Sequence, residues 1–132
     1  MMSAGDPPEP WPPTLGEPMP GAHGAVGIQE KLVAYCLNTD HRVGGPKAQG
    51  FLRLLGIGLA DVEYLADALR TGILREPVRD VRDNPPFGVL REVRIHVGGL
   101  REWRTRVVAV TTSWELRHVD DRPRLVTAYV DG

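Results

Sequence analysis

From Ile28 onward the apolar residues return every three or four positions. Ile28, Leu32 and Cys36 form one row with Val33 and Leu37 beside it, and Asn38-Thr39-Asp40 ends the run. That period predicts a helix with one buried stripe. A second helix is expected to start at Gly44-Gly45-Pro46-Lys47, because Pro46 suits the first helical position, where its missing N–H costs no internal bond. Ala48, Phe51, Leu52 and Leu55 make its apolar face and Gly56 its stop. A third helix is expected from Leu59, with Val62, Leu65, Ala66 and Leu69 inward and Gly72 closing it.

After Gly72 the period shortens toward two. Val89, Val93, Ile95 and Val97 share one side and Glu92, Arg94 and His96 the other, and Gly98-Gly99 predicts a two-residue hairpin turn. A strand is expected over residues 102–115, another over 124–130 after a turn at Asp120-Asp121, and a weaker one over 77–82 ahead of Asn84-Pro85-Pro86. Helices followed by strands imply an α+β fold, with short N-terminal helices packed on one face of a four-stranded antiparallel sheet.

Composition changes this picture mainly at the N-terminus. Seven of the 12 prolines fall in the first 20 residues, so residues 1–27 are expected to be an unstructured Pro/Gly-rich leader, and residues 28–132 the single domain. Trp11 and Met19 could anchor the leader to a surface, although a tail without a role is the simpler expectation.

The leader holds Asp6, Glu9 and Glu17 and no Lys or Arg, which leaves the remainder mildly basic. Arg supplies 14 of the 16 basic residues, a skew that fits Arg-rich composition generally and says little about nucleic acid. No apolar run approaches the roughly 18 to 20 residues of a membrane span, and the first residues lack a signal-peptide pattern. A cytoplasmic address without membrane contact is therefore expected. Cys36 is the single cysteine, which excludes an internal disulfide and a multi-cysteine zinc site and reads as core packing. His23, His41, His96 and His118 are scattered, so neither metal nor cofactor is expected. Asp61, Glu63 and Asp67 on the third helix disfavour sequence-specific DNA binding.

The stretch His41-Arg42-Val43-Gly44-Gly45-Pro46-Lys47 holds the most chemistry. The leading amides of a helix lack internal partners and point along its positive end, and glycines let a ligand approach, so Gly44, Gly45 and Lys47 form a candidate phosphate seat. Imidazole is the side chain best suited to exchange protons near neutral pH, which makes His41 a candidate acid/base; a capping histidine is the simpler reading. Thr112 and Trp114 are two apart on a strand and share a face, as a hydroxyl for a phosphoryl oxygen beside a ring for stacking a base. Ordinary strand composition accounts for them as well. In Pro123-Arg124-Leu125-Val126-Thr127-Ala128-Tyr129, Thr127 and Tyr129 share a face that is either core or open to the helix start.

These residues together, His41 with Gly44-Gly45 and Lys47-Ala48, Phe51, Leu55-Gly56, Thr112-x-Trp114 and residues 123–129, resemble an uncharacterised family of small bacterial proteins over about residues 28–130. The order of elements also resembles the barnase, EndoU, colicin and RelE class of toxin ribonucleases. That likeness implies a metal-independent ribonuclease toxin cleaving RNA by attack of the 2′-hydroxyl, with a protein antitoxin or immunity partner. His41 would be the acid/base, Lys47 and Arg124 the electrostatic stabilisers, Thr112, Thr127 and Tyr129 the orienting hydroxyls, Gly44 and Gly45 the phosphate seat and Trp114 the stacking ring. His41→Ala is then expected to abolish cleavage and spare the fold. The alternative from another class is a non-catalytic partner-binding module, itself an antitoxin or immunity protein. A further enzyme reading puts a nucleotide phosphate at the same helix start.

Overall fold

The Ile28 stripe winds into helix α1 (Ile28–Lys31) and continues as one π-helical turn, Leu32–Cys36, in a computed structural model that describes residues 15–83, 88–117 and 122–131. The bond from Leu37 N–H to the Leu32 carbonyl (2.8 Å) marks the five-residue step. Ile28, Leu32 and Cys36 are buried together, as their spacing predicts.

Helix α2 (Gly45–Leu55) buries Ala48, Phe51 and Leu55 and ends at Gly56, whose φ of 68° is the left-handed cap that glycine adopts without strain. Leu52, expected inward, is exposed. A short 3₁₀ turn leads into α3 (Val62–Arg75). Asp61 fixes that junction: it accepts from the Gly58 amide (3.0 Å) and pairs with Arg101 (2.7 Å), and the Arg101 hydrogen bond holds its carboxyl below the usual range. Helix α3 runs past Gly72, the expected stop, and buries Ile73 as well. A Cβ at Gly72 would stand 2.5 Å from Cγ2 of Ile95, so this glycine lets α3 lie close on the sheet.

Strands β1 (Val78–Asp83), β2 (Val89–Gly98), β3 (Val107–Leu116) and β4 (Arg124–Val130) form one antiparallel meander in the order β1-β2-β3-β4. The fold is α+β, with the helices packed against the four-stranded antiparallel sheet. Val89, Val93, Ile95 and Val97 face the core from β2, and Trp114, Leu125 and Ala128 complete it from β3 and β4.

Two expectations need correction. The β2–β3 link is not a two-residue hairpin at Gly98-Gly99. It spans residues 99–106 and contains a 3₁₀ turn, Arg101–Trp103. Leu100 N–H donates to the Leu55 carbonyl (2.9 Å) and Arg101 Nη1 donates to the Gly56 carbonyl (2.9 Å), so these residues serve the end of α2 rather than extend β3.

The second correction concerns the leader, whose latter half, residues 15–27, packs onto the fold. Gly16 N–H donates to the Val78 carbonyl and Val78 N–H to the Glu17 carbonyl (2.8 Å each) along β1. Val26 N–H donates to the Pro123 carbonyl (2.9 Å) and Leu125 N–H to the Val26 carbonyl (3.3 Å) at β4. Between those sheet edges Met19 and Ala22 are buried in the core. Edge strands carry unpaired amides and carbonyls, and a segment that satisfies them can be ordered despite its prolines. Residues 1–14, the Asn84-Pro85-Pro86 break and the Asp120-Asp121 turn lie outside the described residues. No helix among the described residues is long and apolar enough to cross a membrane.

Candidate functional site

Lys47 stands in the first turn of α2, where a cation is disfavoured by the helix dipole. Its half-buried ammonium is instead held by side chains from two other elements. Nζ donates to the Tyr35 hydroxyl and to Thr127 Oγ1, at 2.8 Å each. It also lies 4.7 Å from the centre of the Tyr35 ring and 5.8 Å from that of Tyr129, within the range of cation–π attraction. Among the described residues no ion pair includes Lys47. An ammonium has three N–H donors, and two are used, so the third and most of the charge are open to an anion.

Tyr35 was not among the expected site residues, yet it connects the others. Its ring meets His41 edge to face, with centroids 4.8 Å apart, and Lys31 Nζ lies 5.7 Å from its centre. The signal was present: Tyr35 is seven positions after Ile28, which puts a polar-tipped ring on the border of the first helical stripe. Cys36 lies beneath and is buried. Burial pushes its thiol up, against a backbone hydrogen bond at Ala128, the charges of Lys47 and Lys31 and a hydrogen bond with Thr127. Core packing is thus the right reading of this cysteine.

His41 is close to the site but closes the turn ahead of α2. Its Nδ1 accepts from the amides of Val43 (3.0 Å) and Gly44 (2.9 Å), and Gly45 N–H donates to its carbonyl (2.8 Å). With Nδ1 occupied as an acceptor, the neutral ring carries its hydrogen on Nε2. The ring can donate from Nε2, while the Nδ1 lone pair is held by the two amides and faces no ligand. This geometry does not serve the expected acid/base role.

The expected phosphate seat is altered for the same reason, since the amides of Gly44 and Gly45 are engaged within the turn. Both glycines are buried for packing: a Cβ on Gly44 would collide with the Tyr35 carbonyl, and one on Gly45 would stand 2.9 Å from the Thr39 carbonyl oxygen.

Thr112 and Trp114 share a face of β3, as their spacing predicts, but that face is core. Thr112 Oγ1 donates to the Val93 carbonyl (2.7 Å) and accepts from Trp114 Nε1 (2.8 Å), and both side chains are fully buried. They stabilise the interior and present nothing to a ligand. Arg124, at the opposite end of β4 from Tyr129, passes over Gly27 and lines a hollow of about 290 Å³ with Glu30, Lys31 and Leu125. Lys47 lines a separate hollow of about 300 Å³ with Arg53, Leu54 and Tyr129. Of the expected residues, His41 and Lys47 therefore meet Tyr35, Thr127 and Tyr129 meet Lys47, and Thr112, Trp114 and Arg124 stand apart. A larger hollow of about 470 Å³ between α3 and β2 mixes Asp67 and Glu76 with Arg75 and His96, and none of the expected site residues lines it. Among the described residues no three His, Cys, Asp or Glu side chains gather as a possible metal cage.

Lys47 thus keeps one N–H donor beyond the hydroxyls of Tyr35 and Thr127, which is the chemistry an anionic group would use. No curated protein and no solved structure matches the chain. A family model described as a domain of unknown function matches residues 19–132. Its start at residue 19 agrees with Met19 being core rather than leader. The chain therefore belongs to the DUF6883 family.

Proposed function

We propose that the protein is a metal-independent ribonuclease of the toxin kind, with Lys47 holding the scissile phosphate of RNA. The observation that carries this reading is the half-buried ammonium of Lys47, unpaired with any carboxylate among the described residues and fixed by two hydroxyls. Attack of the 2′-oxygen on phosphorus, its proton passing to water as the P–O5′ bond breaks, adds negative charge to the phosphoryl oxygens, and a fixed cation in a partly dry site lowers the energy of that state. His41 donates from Nε2 to orient a phosphoryl oxygen. Tyr35, whose oxygen accepts from Lys47 and whose own hydrogen has no acceptor among the described residues, is the group placed to give a proton to the departing 5′-oxygen. Thr127 and Tyr129 complete the hydroxyl set.

A second reading has its own support. The turn satisfies His41 and the glycine amides internally, and this favours a non-catalytic module in which Lys47 receives a carboxylate of a protein partner, as in an antitoxin or immunity protein.

Purified protein on a labelled RNA pool separates the two. Lys47→Gln is expected to reduce cleavage by about 100-fold or more with an unchanged circular dichroism spectrum. His41→Ala takes the side-chain acceptor from two backbone amides of the turn ahead of α2, so it confounds stability with chemistry. His41→Asn keeps an acceptor for the turn and tests the ring alone. Wild-type protein that leaves RNA intact, is harmless when expressed and copurifies with a protein partner would replace the ribonuclease by the binding module.

A further inference from the structure

Cations in no ion pair among the described residues include Arg75, Arg104 and Arg106, but four others lie on elements that converge on β4. In every ion pair among the described residues, the basic partner lies on α3, β1, β2 or the turns flanking β3. None of these pairs includes Lys31 on α1, Lys47 or Arg53 on α2, or Arg124 on β4. Three elements that meet along β4 thus hold four uncompensated cations, on a chain whose formal net charge is -1.

These cations follow a line. Arg124 and Lys31 border the hollow at the start of β4, and Lys47 and Arg53 border the one at its end. Tyr35 joins the two, with Lys31 and Lys47 at 5.7 and 4.7 Å from its ring centre. From Arg124 to Tyr129 the strand advances about 17 Å at roughly 3.4 Å per residue. Tyr129 is 37% exposed and Tyr35 half-buried, so rings stand beside the charges. A row of cations interleaved with aromatic faces suits a strand whose phosphates recur regularly and whose bases are free to stack. A duplex hides its base faces and is gripped over about 16 base pairs, far longer than this strip. Glu30, exposed beside Lys31 and Arg124, is the one acid lining either hollow.

We infer that the strip along β4 from Arg124 to Tyr129 is a lane for single-stranded RNA of on the order of four nucleotides, with Lys31 and Arg124 holding phosphates beyond the one at Lys47. The identity of the strand as RNA rests on the ribonuclease reading, whereas the charge arrangement does not.

The test measures binding of a fluorescent 2′-O-methyl uridine tetramer, which lacks the attacking hydroxyl, by anisotropy across a salt series. The Lys31→Gln/Arg124→Gln double variant is expected to bind it at least tenfold more weakly. Its plot of log affinity against log salt should be shallower by about 1.4, the share of two phosphate contacts on a single strand. Arg70→Gln, which removes a cation already paired with Asp67, should change binding less than twofold. Equal tetramer binding by the double variant and wild type overturns the lane, as does wild-type binding of an RNA duplex as tightly as the single strand. Cleavage of the unmodified tetramer by wild type is scored separately. Loss of binding in the double variant without any cleavage by wild type supports the lane and removes the ribonuclease; cleavage with unaltered binding does the reverse.

Discussion

Thr112 shows how much one side chain's meaning depends on its surroundings. A threonine two positions before a tryptophan on a strand suits either a ligand face or an interior, and the pattern of alternation is the same in both. Here the hydroxyl satisfies two buried polar groups, the Val93 carbonyl and the indole N–H. Thr112→Val keeps the shape but strands the indole N–H in a dry core, which costs about 1–3 kcal/mol. Urea unfolding should register that loss, and Thr112→Ser should recover most of it. A Thr112→Val protein as stable as wild type would mean that the indole finds another acceptor. Lys47 is the opposite case. Its place at a helix start drew attention to it in the sequence, but its partner Tyr35 lies 12 residues earlier and the other, Thr127, 80 residues later, and no local spacing links them.

Among the elements, the helices and β2 were legible because each buries one regular stripe, and burial of a stripe requires its period. The limits were set by glycine. Gly56 ends α2 as expected, with a positive φ, but Gly72 lies inside α3, where the side chain of Ile95 fills the space a Cβ would take. A sequence shows that a glycine is present but not whether it serves a turn or a close approach. Gly72→Ala decides between two effects of opposite sign. Alanine should gain up to about 1 kcal/mol in helix propensity, whereas overpacking a core against a β-branched neighbour costs about 1–3 kcal/mol. Net destabilisation is expected by thermal unfolding. It should shrink in the Ile95→Ala background, where the three clashing atoms are gone, and a more stable Gly72→Ala protein would show that the sheet yields at no cost. Gly98-Gly99 misled in a related way: the hairpin reading is locally sound, but the end of α2 recruits Leu100 and Arg101 and lengthens the link.

For the whole molecule, the surprise is the segment of residues 15–27. It carries Pro18 and Pro20 and forms only isolated bridges and one 3₁₀ turn, yet it binds β1 at one end and β4 at the other and buries Met19 between. A chain beginning at Ile28 loses that burial and those edge bonds together. Truncating a buried methionine side chain to alanine alone costs roughly 2–5 kcal/mol, a large part of the 5–15 kcal/mol typical of a domain. The chain from Ile28 is therefore expected to be aggregation-prone or unfolded, as read by circular dichroism and gel filtration, and Met19→Ala in the full chain to lower its melting temperature. A stable, monomeric chain from Ile28 would show the segment to be dispensable.

The sequence by itself determined the fold class, the helical stripes, the span of the last strand and the buried role of Cys36, because these depend on the local period. The tertiary structure alone decided which polar residues meet: it joined Lys47 to Tyr35 and Thr127, tied the His41 ring into the turn ahead of α2, sank Thr112 and Trp114 into the core, and drew residues 15–27 across both sheet edges. The reason is physical. Backbone and apolar patterns are satisfied by neighbours along the chain, whereas a polar side chain finds its partner across whatever distance in sequence the packed core happens to close.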